Sequence, residues 1–218
     1  MRNRRESSIK EYFIEFIIVI LGISIAFWLS NLGDERKERR LEEQYIIYLK
    51  EDLSNDKLHL TSSIASNQKK LNALGKAIQF FQGTNNGLTY DSMPTYAGLI
   101  GSYNYFEPNE NTYVTLQQSG DLKVLKDKDF KKALVDLYRS YEIIQQEHLN
   151  LSSALDDNFY PLFMSNYDMI NNKIIDIEYF KTPLFRNFVV FTMNETSLLN
   201  QYYEHAQLRI EKILLMLD

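Results

Sequence analysis

The 218-residue chain contains no cysteine. That excludes a disulfide framework, a thiolate zinc site and a cysteine nucleophile, and it fits either side of a bacterial inner membrane. Proline and glycine are scarce, at 4 and 8 residues, and they cluster. The chain therefore has few built-in turns and reads as helix-rich. An excess of basic charge is missing too: 24 lysines and arginines stand against 29 acidic residues, a net charge of −5. A nucleic-acid partner is excluded on that ground, because a general binder shows a basic stripe.

The usual signs of catalysis are also lacking. No glycine-rich phosphate loop, GxSxG elbow or EF-hand loop occurs. Histidine appears only as His59, His148 and His205. Glu147-His148 and Glu204-His205 are adjacent pairs, whose side chains leave a helix about 100° apart, so neither makes an HExxH face. His148 falls on an apolar stripe and is read as a core histidine rather than a ligand. Acids such as Asp156-Asp157 are helix-surface carboxylates. The lysines from Lys123 to Lys132 are interleaved with Asp121, Asp127 and Asp129, so the stretch reads as a solvated helix start rather than a polyanion site. No catalytic, cofactor-binding or metal-ligating residue is assigned, no cofactor is expected, and the chain is read as not an enzyme.

What is present is one long hydrophobic run. Phe16 to Gly33 holds 18 residues without a charge. As a helix it spans roughly 27 Å, close to the ~30 Å hydrocarbon thickness of a bilayer. Tyr12 and Phe13 flank one end, and Phe27 and Trp28 the other, as headgroup belts require. A cleaved signal peptide is the rival reading, with Arg2, Arg4 and Arg5 before the run and Ser24-Ile25-Ala26 as a small-x-small site. Glu15 interrupts its early part, and the run continues past Ala26, which favours an uncleaved anchor. Lysines and arginines balance across the run, so the positive-inside rule ties. The short basic tail is the usual start of a signal-anchor. It places the chain in the bacterial inner membrane as a single-pass protein, with the C-terminal domain periplasmic.

At about 100° per residue, Gly22, Ala26 and Ser30 form a small-xxx-small ridge, and Glu15 shares their side. One reading is a self-association interface holding an ionisable group. The other is that Glu15 reaches the headgroups and the small residues are incidental.

Beyond the run, residues 34–82 read as a charged exit followed by a long amphipathic helix. Leu53, Leu60, Ile64, Leu71, Leu74, Ile78 and Phe81 form its stripe, with Asn67 among them. This is either a coiled-coil seam with a register-fixing Asn67 or the first helix of an intramolecular bundle. The bundle is favoured because later helices need a partner for their own apolar faces. Residues 83–126 read as loops and short helices, with a turn at Gly83–Gly87, a start at Ser92-Met93-Pro94 and a capped helix ending on Gly120. Residues 127–218 read as two further helices. The first is capped by Asp127 or Asp129 and ended or kinked by Pro161. The second opens on Thr182-Pro183, with a break near Asn194. A polar link, 166–172, joins them. The fold class is all-α: residues 1–11 as a basic tail, a transmembrane helix over 12–33, then one helical bundle domain over 34–218.

Two stretches carry a resemblance. Glu15, Gly22-Ile23-Ser24-Ile25-Ala26, Asn31 and Asp34-Glu35-Arg36-Lys37 make the first. Phe106-Glu107-Pro108, Thr112-Tyr113, Leu116, Ser119-Gly120-Asp121-Leu122 and Tyr138 make the second. Together they resemble an uncharacterised Bacteroidota family of short single-pass membrane proteins, with a GIxIA anchor and an F-x-P…T-Y-x-x-L-x-x-S-G-x-L segment. One departure is Leu32-Gly33, where that family often has a tryptophan; here Trp28 lies one turn earlier. The resemblance implies a membrane location and a helical domain, and brings no enzyme activity.

The resulting expectation is a non-catalytic scaffold of the cell envelope. It would self-associate as a homo-oligomer through Glu15, Gly22, Ala26 and Ser30, with the lipid bilayer and other envelope proteins as partners. A different class of function is a sensory or ligand-binding domain, with Tyr103, Tyr105, Thr112, Tyr113, Ser119 and Gly120 as the candidate surface. A third is a subunit of an ion-driven complex that uses Glu15.

Overall fold

A computed structural model describes residues 3–102 and 105–217. Helix α1 runs from Asn3 to Phe81, 79 residues without a break. The apolar run and the long amphipathic segment are thus one helix. Glycine at 22, 33 and 75 does not interrupt it, because no proline removes a hydrogen bond between its ends. It ends at Gly83 and Gly87, whose φ angles of 85° and 79° are reached without strain only by glycine.

A crossover segment follows. A 3₁₀ turn over Tyr90–Ser92 leads into α2 (Met93–Gly101), and α3 spans Asn111–Gln118. Ser92 precedes α2 but does not cap it: its backbone is already helical and its side chain bonds no backbone N–H of the helix. Gly101 closes α2 against Tyr160, whose hydroxyl donates to the Gly101 carbonyl at 2.7 Å. A Cβ there would lie 3.0 Å from the tyrosine ring.

Helix α4 (Lys128–Ala154) opens on Asp127, which accepts from the N–H groups of Asp129 and Phe130. Before Pro161 the backbone widens into a π turn, Leu155–Phe159, and continues as α5 (Tyr160–Asn166). The missing proline N–H is absorbed by the π turn, so the chain neither stops nor turns away. The link at 166–172 is more ordered than expected. It forms a two-stranded hairpin, Tyr167–Asp168 (β1) against Lys173–Ile174 (β2), closed by the side chain of Asp168. After α6 (Ile177–Lys181), Thr182 caps α7, accepting from the Phe185 N–H at 3.2 Å. Helix α7 runs from Pro183 to Met216 with no break at Asn194. Asn194 is exposed, so its polar side chain costs nothing to hold there.

Three helices form the bundle, and each buries side chains at alternating steps of four and three. On α1 these are 49, 53, 56, 60, 63, 67, 70, 74 and 77. On α4 and into the π turn they are 130, 134, 137, 141, 144, 148, 151 and 155. On α7 they are 185, 189, 192, 196, 199, 203, 206, 210 and 213. This is the 3.5-residue repeat of knobs-into-holes packing. Lys57–Glu211 at 2.9 Å and Thr61–Gln207 at 2.8 Å fix α7 antiparallel to α1. Lys126 bonds Glu38 and Glu42 at 2.6 Å each, which sets the start of α4 beside the early part of α1, so α1 and α4 run parallel.

The stripe on α1 differs from the apolar pattern. Asp56, Ser63 and Lys70 are buried members of it, while Ile64, Leu71, Ile78 and Phe81 lie on its flank, half-buried.

Candidate functional site

Two faces of α1 matter. The bundle takes one of them: between the apolar run and the first fully buried position, Leu49, residues Glu38, Leu41, Glu42, Tyr45 and Ile46 are half-covered. At about 100° per residue, these positions lie about 100–240° round the helix from Gly22, centred near about 170°. Gly22 and Glu15 therefore sit opposite the side that the bundle occupies. Ala26 and Ser30 step round toward its flank, by about 40° each. Gly22 has nothing within 4 Å of where a Cβ would be. Helix α1 is long and apolar enough to cross a membrane, with a mean hydropathy of 2.4 over its most apolar window, none of it buried.

The inner face carries the second group of sequence candidates. Phe106 is buried and meets the rings of His59, Tyr141 and Tyr203. Asn109, just past Pro108, donates to Asp56 twice: its backbone N–H at 2.9 Å and its amide at 2.7 Å, both to Oδ1. Tyr138 donates to the Asn109 carbonyl at 3.1 Å. Tyr113 stacks flat on Tyr138, with centroids 3.9 Å apart and planes within 2°. Farther on, Tyr45 donates to Asp121 at 2.9 Å. The Asp121 carboxyl is held below its ordinary range, chiefly by a hydrogen bond from Ser119 and then by that from Tyr45.

The segment therefore works as a latch that fastens the crossover to α1 and α4. Thr112 is half-buried, Ser119 and Gly120 are exposed, and Gly120 has a φ of 75°. Tyr103 lies outside the described residues. Asp56, Asn109 and Tyr141 complete the latch. The sequence signal available for them was the proximity of Asn109 to Pro108 and the 3.5-residue phase of Asp56.

A second polar layer crosses the core one level on. His148 and Tyr203 share a hydrogen bond of 2.5 Å, and Tyr105 packs on the His148 ring at 4.9 Å. Burial pushes the His148 imidazole down to about 4, so it is neutral at pH 7. Lys70 is buried beside it, donates to the Ser102 carbonyl, and is lowered to about 8 by burial. The cavity here, lined by Asn67, Lys70, Tyr105, His148, Leu151 and Thr196, is about 10 Å³, room for about one water. Among the described residues no three histidine, cysteine or acidic side chains are placed to hold a metal.

The apolar run and the latch segment both lie within residues 15–160, which match the model of a family of unknown function (DUF6090). The chain belongs to this family. The match spans more than half of the chain, from Glu15 through the latch to the π turn. No curated protein and no solved structure matches. As a DUF6090 member the chain carries its family's span on α1 and the crossover, while α7, which closes the bundle, lies beyond it.

Proposed function

We propose that the chain is a membrane-anchored interaction protein of the bacterial cell envelope, without catalytic activity, that self-associates through the outer face of α1. Its anchor crosses the inner membrane once, and its bundle stands on the periplasmic side, where it contacts other envelope proteins. The observation that carries this reading is the phase of α1. Gly22 and Glu15 point away from the bundle that the described residues form, so a partner packed against Gly22 would come from another molecule. In lipid, close backbone approach rather than hydrophobicity drives such packing. The uninterrupted helix from the span to Phe81 would pass that pairing to the bundle without a hinge.

The test is the mass of the detergent-solubilised full chain. Wild type is expected as a dimer or larger, and Gly22→Ile as a monomer with an unchanged bundle. A wild-type monomer, or an intact oligomer in the variant, contradicts the proposal. Glu15, about 20° from Gly22 on the same face, supports a second reading as a subunit of an ion-driven complex. There, Glu15→Gln would abolish proton-dependent output while leaving the oligomer intact, and unchanged output ends that reading.

A further inference from the structure

Among the described residues, the latch acids Asp52 and Asp56 have no ion-pair partner. Asp56 is fully buried and sits one helical turn from Asp52. Its Oδ1 is taken by Asn109, but its Oδ2 is buried with no partner. The Oδ2 of Asp52 and the hydroxyl of Tyr141 are also buried and unpaired. The Tyr141 hydroxyl lies close enough to the Asp56 carboxylate to favour its charged form, but falls short of full hydrogen-bond geometry. Tyr138 cannot help, because its hydroxyl is committed to the Asn109 carbonyl. An ionised carboxylate left this way is costly, and a buried polar atom normally has a partner.

One added proton turns Asp56 Oδ2 from an unpaired acceptor into a donor with an unpaired oxygen on either side of it. We propose that Asp56, with Asp52 one turn away, is a proton-binding site, and that the latch joining the crossover to α1 is tightest when that proton is bound. The proton comes from solvent and forms a bond to Asp56 Oδ2. The resulting hydroxyl donates to the Tyr141 oxygen or to Asp52, and Oδ1 goes on accepting from Asn109.

The surroundings favour the neutral form. On α1, Asp52 lies one turn before Asp56, and His59 lies against Phe106 on the same side of the latch. The crossover contributes Glu110 and Tyr113, α4 contributes Tyr138, Tyr141 and Glu142, and α7 reaches the same ring with Tyr203. Lys57, next to Asp56, is turned to Glu211 instead. Burial raises the Asp56 carboxyl above its ordinary range, against the lowering effect of the Asn109 hydrogen bonds and of the Tyr141 hydroxyl, and the Asp52 charge raises it further. Glu110 is raised as well, first by burial. A folded pKa above the unfolded value means that the native state holds the proton more tightly. The stabilisation is complete in acid, below the unfolded pKa, and is lost as pH rises through the folded one.

The test compares thermal midpoints of the full chain and Asp56→Asn in detergent across the acid-to-neutral range. Asparagine keeps an acceptor for Asn109 and places a donor where the proton would be. The variant is expected to match wild type in acid and to gain on it steadily as pH rises, whatever the oligomeric state. A difference that is constant with pH, or a variant that loses stability at neutral pH, overturns the proposal. Should the variant not fold, carbon-13 titration of the wild-type aspartates decides. A raised Asp56 supports the site, and an Asp56 within or below the ordinary carboxylate range overturns it. A midpoint rise with calcium, magnesium or sodium at constant ionic strength, absent in Asp56→Asn, would assign the pocket to a metal cation and overturn the proton.

Discussion

At the level of single residues, His148 shows how environment decides a role. Its place on the apolar stripe of α4, as a core histidine rather than a ligand, was readable from spacing. Its partner was not, since Tyr203 is 55 positions away on another helix. Because its folded pKa is about 4 against 6.5 unfolded, the unfolded chain binds more protons between those values. Stability from this group is complete above about pH 6.5 and falls as pH drops toward 4, by about 3 kcal/mol at most. Asp56 acts in the opposite sense, so the His148 contribution is measured as the difference between wild type and His148→Phe in urea unfolding. That difference is expected to shrink on acidification over this window. Gly101 gives a steric prediction at the same scale. Gly101→Ala pushes a Cβ to 3.0 Å from the Tyr160 ring and is expected to cost about 1 kcal/mol, read as a lower thermal midpoint.

At the level of elements, the helices themselves were legible and their exact stripes were not. Caps at Asp127 and Thr182, the turn at Gly83–Gly87 and the end of α2 at Gly101 all follow from local chemistry, which acts over a few residues and is written in the sequence. The stripe on α1 was misread because apolar residues alone define it poorly. Leu53, Leu60 and Leu74 are on it, but so are Asp56, Ser63 and Lys70. Asp56 and Lys70 are met there by Asn109 and Ser102, which arrive from the crossover. The π turn has no signal beyond Pro161. The register makes a paired prediction on one helix, two residues apart. Leu60→Ala, fully buried, is expected to cost about 3 kcal/mol. Leu58→Ala, 69% exposed, is expected to stay within about 0.5 kcal/mol. Chemical unfolding of both distinguishes the 3.5-residue stripe from any shifted one.

At the level of the whole molecule, α1 is one rod that carries both the apolar run and the first stripe of the bundle. From Gly33 to Phe81 it extends roughly 70 Å, with α4 and α7 laid along its inner side. The latch motif, a candidate surface when read as sequence, lies largely inside this arrangement, with Phe106, Tyr113 and Leu116 buried. That leaves the outer face of α1 as the main candidate for contact with other copies. Its phase relative to the bundle could not be read without knowing that α1 is unbroken between Gly22 and Leu49. The native chain has no cysteine, so single cysteines can be placed along the apolar run without background. Oxidative cross-linking of these variants in membranes tests the central claim most directly. The account predicts disulfide-linked dimers from Gly22→Cys and Ala26→Cys, and none from Ile20→Cys and Ser24→Cys on the opposite side. Cross-linking at all four positions alike, or at none, would contradict it.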